Sequence, residues 1–154
     1  MRKVFLLAAI VVACAKKEAP PADTAAPAPP PPPPPPPALT AADVKGTWNG
    51  TSKRENDTTA VKWTVVSTSD STAKLTFAGS KESVALTTKF DADSMISTSA
   101  AYKDPGLPKN APKVMFKSVA HLKDGKLTGN STIMLASKPD SVVGKGSWEA
   151  TKAP

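Results

Sequence analysis

Short runs in which apolar and polar residues alternate dominate the chain from Leu39 onward. Leu75 and Phe77, for example, flank the polar Thr76. A period of two places the apolar side chains on one face of a β-strand, so the pattern predicts half-buried strands. We expect eight strands, over residues 44–53, 60–68, 72–78, 82–90, 94–102, 113–122, 126–135 and 142–151.

The breaks between these strands contain turn-forming residues. Asp124-Gly125 is the strongest hairpin signal, because glycine readily adopts the positive φ of a tight turn. Short turns between consecutive strands predict an antiparallel up-and-down meander. The exception is Lys103–Pro112, whose three prolines predict a longer loop; such a loop is either a solvated crossover or a binding segment.

One face of this predicted sheet is apolar and needs a cover, and no helical period is available to supply one. The sheet either folds over itself as a sandwich or curls until its first and last strands meet, which also removes both edges. Gly46–Trp48 and Gly146–Trp148 are matching segments on those two strands, with glycines where strong coiling is needed. The sequence therefore favours an all-β, closed or nearly closed eight-stranded barrel over a sandwich.

The alternation also predicts what faces the barrel interior. Val44 and Val142 are assigned to the inner face at the outer ends of the first and last strands, and the lysines fall on the opposite face. Six large aromatic residues are assigned inward and are the candidate ligand-binding residues: Trp48, Trp63, Phe77, Phe90, Phe116 and Trp148. The fifth to seventh strands place small residues opposite them: Ser97, Ser99, Ser118, Gly129 and Ser131. This unequal packing either leaves a partly lined pocket or is filled by the aromatic rings.

Proline is concentrated before the predicted barrel. Twelve of the 17 prolines lie between Pro20 and Pro37, and Pro29–Pro37 is unbroken. Proline lacks a backbone donor and has a fixed φ, so this segment cannot form a helix or a sheet and extends as polyproline II. It is expected to be a disordered, Pro-rich stalk that acts as a spacer, with a docking motif for an aromatic groove as the alternative.

The first 14 residues have the layout of a targeting signal. Arg2 and Lys3 precede an apolar run over Val4–Ala13, which is too short to span a bilayer, since a spanning helix needs about 20 apolar residues. Val11–Cys14 resembles the lipobox of bacterial lipoproteins. An ordinary signal peptide with a cysteine near its end is the alternative.

The lipobox resemblance implies the address of the protein. It implies removal of residues 1–13, lipidation of Cys14 with acyl chains such as palmitate, and membrane attachment through a linker over residues 14–38, followed by the barrel over residues 39–154. Ala15 stands where an aspartate would signal inner-membrane retention. We therefore expect a bacterial cell-envelope protein at the outer membrane, facing the periplasm or the cell surface.

Gly46-Thr47-Trp48 at the start of a short eight-stranded meander resembles the Gly-x-Trp opening of the calycin group, which includes lipocalins and avidins. The resemblance implies a lipocalin-like barrel in which Trp48 packs across a closed end, while the open end receives a small apolar ligand. The chain lacks room for the helix that follows the eighth strand of lipocalins, and it lacks the ligand-binding positions of avidins. The resemblance therefore does not identify a ligand.

Composition limits the chemistry. With one cysteine and one histidine, the chain cannot form an internal disulfide or the usual Cys/His zinc site. His121 falls on the polar face, and Asp91 and Asp93 are turn residues that supply too few oxygens for a calcium site. We predict no catalytic residue, no metal and no cofactor. Of the net charge of +7, +5 belongs to residues 39–154 and is spread over every strand, so nucleic acid is not an expected partner.

These expectations combine into two functional hypotheses. The first is a non-catalytic, membrane-anchored envelope lipoprotein that binds a small hydrophobic ligand in its barrel. The alternative is an interaction, structural or inhibitor-like protein with a solid barrel core, whose loops contact another envelope protein. A cavity inside the barrel would favour the first hypothesis, and a filled core would favour the second.

Overall fold

The computed structural model describes residues 30, 31, 33 and 37–154. The predicted signal peptide, the lipidation site Cys14 and most of the proline-rich linker lie outside the described residues. The elements are α1 (Ala41–Val44), β1 (Thr47–Arg54), β2 (Val61–Ser67), β3 (Thr72–Phe77), β4 (Ser83–Asp91), β5 (Ser94–Ser99), β6 (Val114–Lys123), β7 (Lys126–Leu135) and β8 (Lys138–Lys152). All eight predicted strands are therefore confirmed, with ends that shift by a few residues.

The strands form a closed antiparallel barrel in sequence order. Closure is made by β1 and β8, which pair from Trp48 opposite Lys152 to Arg54 opposite Gly146. This confirms the predicted up-and-down barrel and excludes the sandwich. Closure satisfies the backbone donors and acceptors that the first and last strands would otherwise expose at the sheet edges.

The period of two holds along most strands. In β4, for example, Val84, Leu86 and Thr88 are buried while the residues between them are exposed. The prediction was wrong for Val142, whose exposed fraction is 53%. The reason is irregular pairing: the register of β7 with β8 shifts on both sides of Met134, so the alternation cannot be extrapolated through that part of β8.

The start of the first strand was also predicted wrongly. Residues 41–44 form a single helical turn, and the chain turns into β1 through Gly46, whose φ is +114°. The carboxylate of Asp43 accepts hydrogen bonds from the Thr40 backbone N (2.9 Å) and Oγ1 (2.6 Å), and these bonds lower the pKa of Asp43. Val44 is therefore the last residue of a helix instead of an inward-facing strand residue. Within the described residues, no helix has the length and apolar character needed to cross a membrane.

Helix α1 lies at the end of the barrel where β1 begins, which we call the helix end; the turns at 68–71, 92–93 and 124–125 are at the same end. Leu39 and Val44 are buried there with Trp48, whose exposed fraction is 3%. The indole Nε1 of Trp48 donates to the Val44 carbonyl at 2.9 Å, and the Leu39 backbone N donates to the Ala92 carbonyl at 2.8 Å. The segment before β1 therefore packs into the helix end as part of the core.

Two tryptophans in the barrel lie over glycines on the neighbouring strand. Gly50 is paired with Trp63, and Gly129 with Trp148. A Cβ at Gly50 would lie 2.3 Å from the Trp63 ring, and one at Gly129 would lie 2.8 Å from the Trp148 ring. The glycines are therefore required by the close approach of the indoles, which lie 5.6 Å apart, edge to face.

This packing predicts that Gly50→Ala destabilises the barrel by about 2 kcal/mol or more, because the new methyl group would meet both the indole of Trp63 and the Glu149 carbonyl at 2.7 Å. The matched control is Gly144→Ala, because its Cβ would make only an ordinary contact, 3.8 Å from Ile133 Cδ1. Urea denaturation of the two variants measures the difference in the free energy of unfolding. Equal stability of the two variants would contradict this account.

Candidate functional site

The barrel interior contains a cavity of about 150 Å³, which is partly open to solvent. All six aromatic residues selected from the sequence line it: Trp48, Trp63, Phe77, Phe90, Phe116 and Trp148. These include every tryptophan of the chain. The structure thus brings the six candidate residues together around one internal space. That they bind a ligand stays a prediction.

The six residues occupy different levels of the cavity. Trp48 lies at the helix end, where Phe90 also packs. Trp63 and Trp148 contact each other, and Trp63 packs against the buried clusters of both ends. The remaining two, Phe77 and Phe116, belong to the cluster that extends toward the opposite end of the barrel.

That opposite end, which we call the loop end, contains the connections at residues 55–60, 78–82, 100–113 and 136–137. Tyr102 is central there: its ring stacks on Phe77 at a centroid distance of 5.6 Å and meets Phe116 edge-on at 6.0 Å. Sequence reasoning assigned Tyr102 only to the end of the fifth strand. That strand in fact ends at Ser99, and Tyr102 forms an isolated bridge with Val114.

An ion pair ties the long loop to the barrel at the loop end. Arg54, the last residue of β1, lies 2.6 Å from Asp104 in the 103–112 loop, and both side chains are mostly buried. Asp104 also accepts hydrogen bonds from the Gly106 backbone N (2.9 Å) and from the Tyr102 hydroxyl (3.4 Å). Since Arg54, Tyr102, Asp104 and Gly106 all line the cavity, this cluster forms part of its boundary.

Hydroxyl groups line another part of the wall. Thr88, Ser97, Ser118 and Ser131 are neighbours across β4, β5, β6 and β7. All four line the cavity. Two hydrogen bonds involve them: Trp148 Nε1 donates to Ser118 Oγ at 2.8 Å, and the hydroxyls of Thr88 and Ser97 are 3.3 Å apart. The cavity therefore has an aromatic part and a hydroxyl part.

The volume sets the size of what could bind. Pockets for drug-sized ligands measure roughly 300–1,000 Å³, whereas an apolar cavity of roughly 150 Å³ in another protein binds benzene. The cavity observed here is of the second kind. It matches a molecule with one ring better than an extended lipid.

A wider depression of about 620 Å³ lies across β1, β2, β3 and β8. Its lining includes outward-facing residues such as Asn49, Thr64 and Glu149, and it opens to solvent. An open surface depression of this kind offers few enclosed contacts. We therefore regard the internal cavity as the candidate site.

The titratable residues His121 and Asp93 lie outside the cavity. His121 is half exposed on β6, and its Nδ1 lies 3.5 Å from Asp93 Oδ2. The part of the chain that the structure describes contains no group of three or more His, Cys, Asp or Glu side chains placed to hold a metal ion. Neither His121 nor Asp93 lines the cavity.

Comparison with family models, with curated proteins and with solved structures finds no match. What the cavity can bind is therefore inferred from its lining residues.

The environment of Tyr102 predicts an alkaline transition. Burial raises the pKa of its hydroxyl above the ordinary value of 10.0, and the Asp104 carboxylate raises it further. Because the folded state holds this proton more tightly than the unfolded chain, the contribution to stability is complete below pH 10.0 and is lost as the pH rises through the folded-state pKa.

Tyr102 is the chain's single tyrosine, so tyrosinate absorbance reports this group alone. At pH 10.0, the ordinary pKa of tyrosine, we expect the folded chain to contain little tyrosinate. In the urea-unfolded chain, half of the Tyr102 side chains should be ionised at the same pH. Asp104→Asn is expected to lower the folded-state pKa only partly, since burial is the larger cause. Half ionisation of the folded chain at pH 10.0 would contradict the placement of the phenol.

Proposed function

We propose that this protein is a non-catalytic, lipid-anchored lipoprotein of the bacterial cell envelope whose barrel binds a small hydrophobic ligand. The observation that carries the ligand-binding part is the internal cavity of about 150 Å³, lined by all three tryptophans and three phenylalanines. Aromatic rings supply much apolar contact area and defined geometry, which are the usual sources of affinity for an apolar ligand.

The anchoring part rests on the sequence of residues 1–14. A basic start, a short apolar run and a small residue before Cys14 support lipidation there. Each buried CH₂ of an acyl chain contributes about 0.8 kcal/mol, so two or three chains hold a protein at a membrane stably. Ala15 in place of aspartate supports the outer membrane as the destination.

The calycin-like motif supports the same proposal from another direction. Trp48 is buried at the helix end, and the Gly-x-Trp resemblance implies a tryptophan that packs across one end of the barrel. The ligand would then occupy the space between Trp48 and the cluster at the loop end. In the alternative, an envelope protein would contact the 103–112 loop and the cavity would have no ligand.

Replacing Cys14 tests the anchor. Cys14→Ala is expected to move the chain from the membrane fraction to the soluble fraction, because no thiol remains to be acylated. Lys16→Ala is the control and is expected to stay with the membrane, as a mature form whose mass includes the acyl chains. Membrane retention of Cys14→Ala would contradict anchoring through this residue.

Titration of the full chain with toluene tests the ligand site. We expect a saturable change in tryptophan emission, because every tryptophan of the chain lines the cavity. Ser52→Leu is expected to abolish the change by filling the cavity from an inward-facing position of β1, while Thr51→Leu, at the next position along the same strand, is the control. If toluene leaves the emission of the wild-type chain unchanged, ligand binding fails and the loop-mediated alternative is favoured.

A further inference from the structure

Four of the hydroxyl residues that line the cavity form one row around the barrel, across β4, β5, β6 and β7. Thr88 is opposite Ser97, Ser97 is opposite Ser118, and Ser118 is opposite Ser131. We call these four residues the hydroxyl row. Three of its members are more than nine-tenths buried: the exposed fractions of Thr88, Ser97 and Ser118 are 9%, 6% and 2%.

Some hydroxyl hydrogens of the row have no acceptor within the described chain. A hydroxyl has one hydrogen to donate and two lone pairs that accept. The oxygen of Ser118 accepts the Trp148 Nε1 hydrogen at 2.8 Å, which leaves the hydrogen of Ser118 itself unused. In the Thr88–Ser97 pair, at 3.3 Å, one hydroxyl donates and the hydrogen of the other is left. Among the described residues these three hydroxyls make no other hydrogen bond.

A buried donor without a partner costs more free energy than an unused lone pair. A buried donor without a partner loses the hydrogen bond it would make with water, at considerable cost, whereas a hydroxyl oxygen with one lone pair filled is already partly satisfied. The hydroxyl row is therefore best complemented by a ligand atom that accepts hydrogen bonds. A ligand group that only donates hydrogen bonds would not satisfy these hydrogens.

The opposite part of the lining is apolar. Trp63, Leu75 and Phe77 lie on β2 and β3, and all three line the cavity. The charged residues of the lining, such as Arg54 and Asp104, belong to the ends of strands and to loops and not to the hydroxyl row. Burying an unpaired charge against neutral hydroxyls and aromatic rings is costly, so a neutral ligand is favoured.

We propose that the ligand of this cavity is a neutral molecule with one aromatic ring and one oxygen that accepts hydrogen bonds. The ring packs against Trp63 and Phe77, and the oxygen accepts from Ser118 and from the Thr88–Ser97 pair. This inference rests on the proposed function, because it names the chemical class of the ligand that the barrel binds. The cavity volume of about 150 Å³ limits the ligand to a single ring.

Two probes of the same shape test the proposal. Acetophenone and α-methylstyrene share a skeleton, and a carbonyl oxygen in the first replaces a methylene group in the second. Isothermal titration calorimetry of the full chain is expected to show roughly tenfold tighter binding of acetophenone, because only its oxygen satisfies the buried donors.

Single substitutions assign this preference to the hydroxyl row. Ser118→Ala and Ser97→Ala are each expected to reduce the ratio of the two dissociation constants toward one. Ser97→Ala is needed because it leaves the hydrogen bond from Trp148 to Ser118 intact. The matched control is Ser99→Ala, because Ser99 is also a buried serine of β5 but does not line the cavity. Its Oγ accepts a hydrogen bond from the Phe116 backbone N.

The outcomes separate this inference from the proposed function. If the wild-type chain binds both probes equally, the barrel is an apolar binding site and the hydroxyl row does not select the ligand. An unchanged ratio in both Ser118→Ala and Ser97→Ala would likewise overturn the role of the row. If neither probe binds and toluene also fails, both the ligand class and the proposed function are wrong.

Discussion

The pairing of β1 with β8 is the constraint on which the rest of the structure depends. Eight strands with one apolar face cannot remain an open sheet in water, and the described part of the chain has only a four-residue helix to offer as a cover. Closure turns that face into an interior and fixes the register of every inward-facing side chain. Without the β1–β8 pairs, the aromatic residues would have no common space to line.

The two ends of this interior are finished by different interactions. At the helix end, the Trp48 indole donates to the last carbonyl of α1, so the segment before β1 becomes part of the core. At the loop end, the Arg54–Asp104 pair holds the 103–112 loop next to Tyr102. The helix end is thus held by packing and a hydrogen bond, whereas the loop end is held by an ion pair. Loops are also where partners and ligands commonly bind.

The sequence was sufficient to predict the features that follow from period and composition. Alternation around Leu75 and Leu86 identified the strands and their inner face, and the lack of a covering helix favoured closure. Residues 41–44 were missed because four residues carry no helical period, and the exposure of Val142 was missed because a bulge interrupts the alternation. Alternation alone also predicted the inward positions of the six aromatic residues, which all line the cavity, while their binding of a ligand stays a prediction.

The hydrogen bonds of the site could not be predicted in this way. Ser97, Ser118 and Ser131 were recognised as small inward residues, but their alignment in a row depends on strand register, which is set by turn geometry and bulges that the pattern does not specify. The role of Tyr102 was hidden for a similar reason. It follows the end of β5, where the alternation no longer applies, and its contacts with Phe77 and Asp104 come from other parts of the chain.

Cavity size links the two parts of the proposed function. A protein held at a membrane by acyl chains lies close to lipids with similar chains, which would compete for any large apolar pocket. A cavity of about 150 Å³ is too small for an extended acyl chain, and its buried hydroxyls would lose hydrogen bonds to water without gaining any from a hydrocarbon. In the proposed function, small volume and the hydroxyl row would therefore act together, since both would exclude membrane lipids and favour a small molecule with an acceptor oxygen.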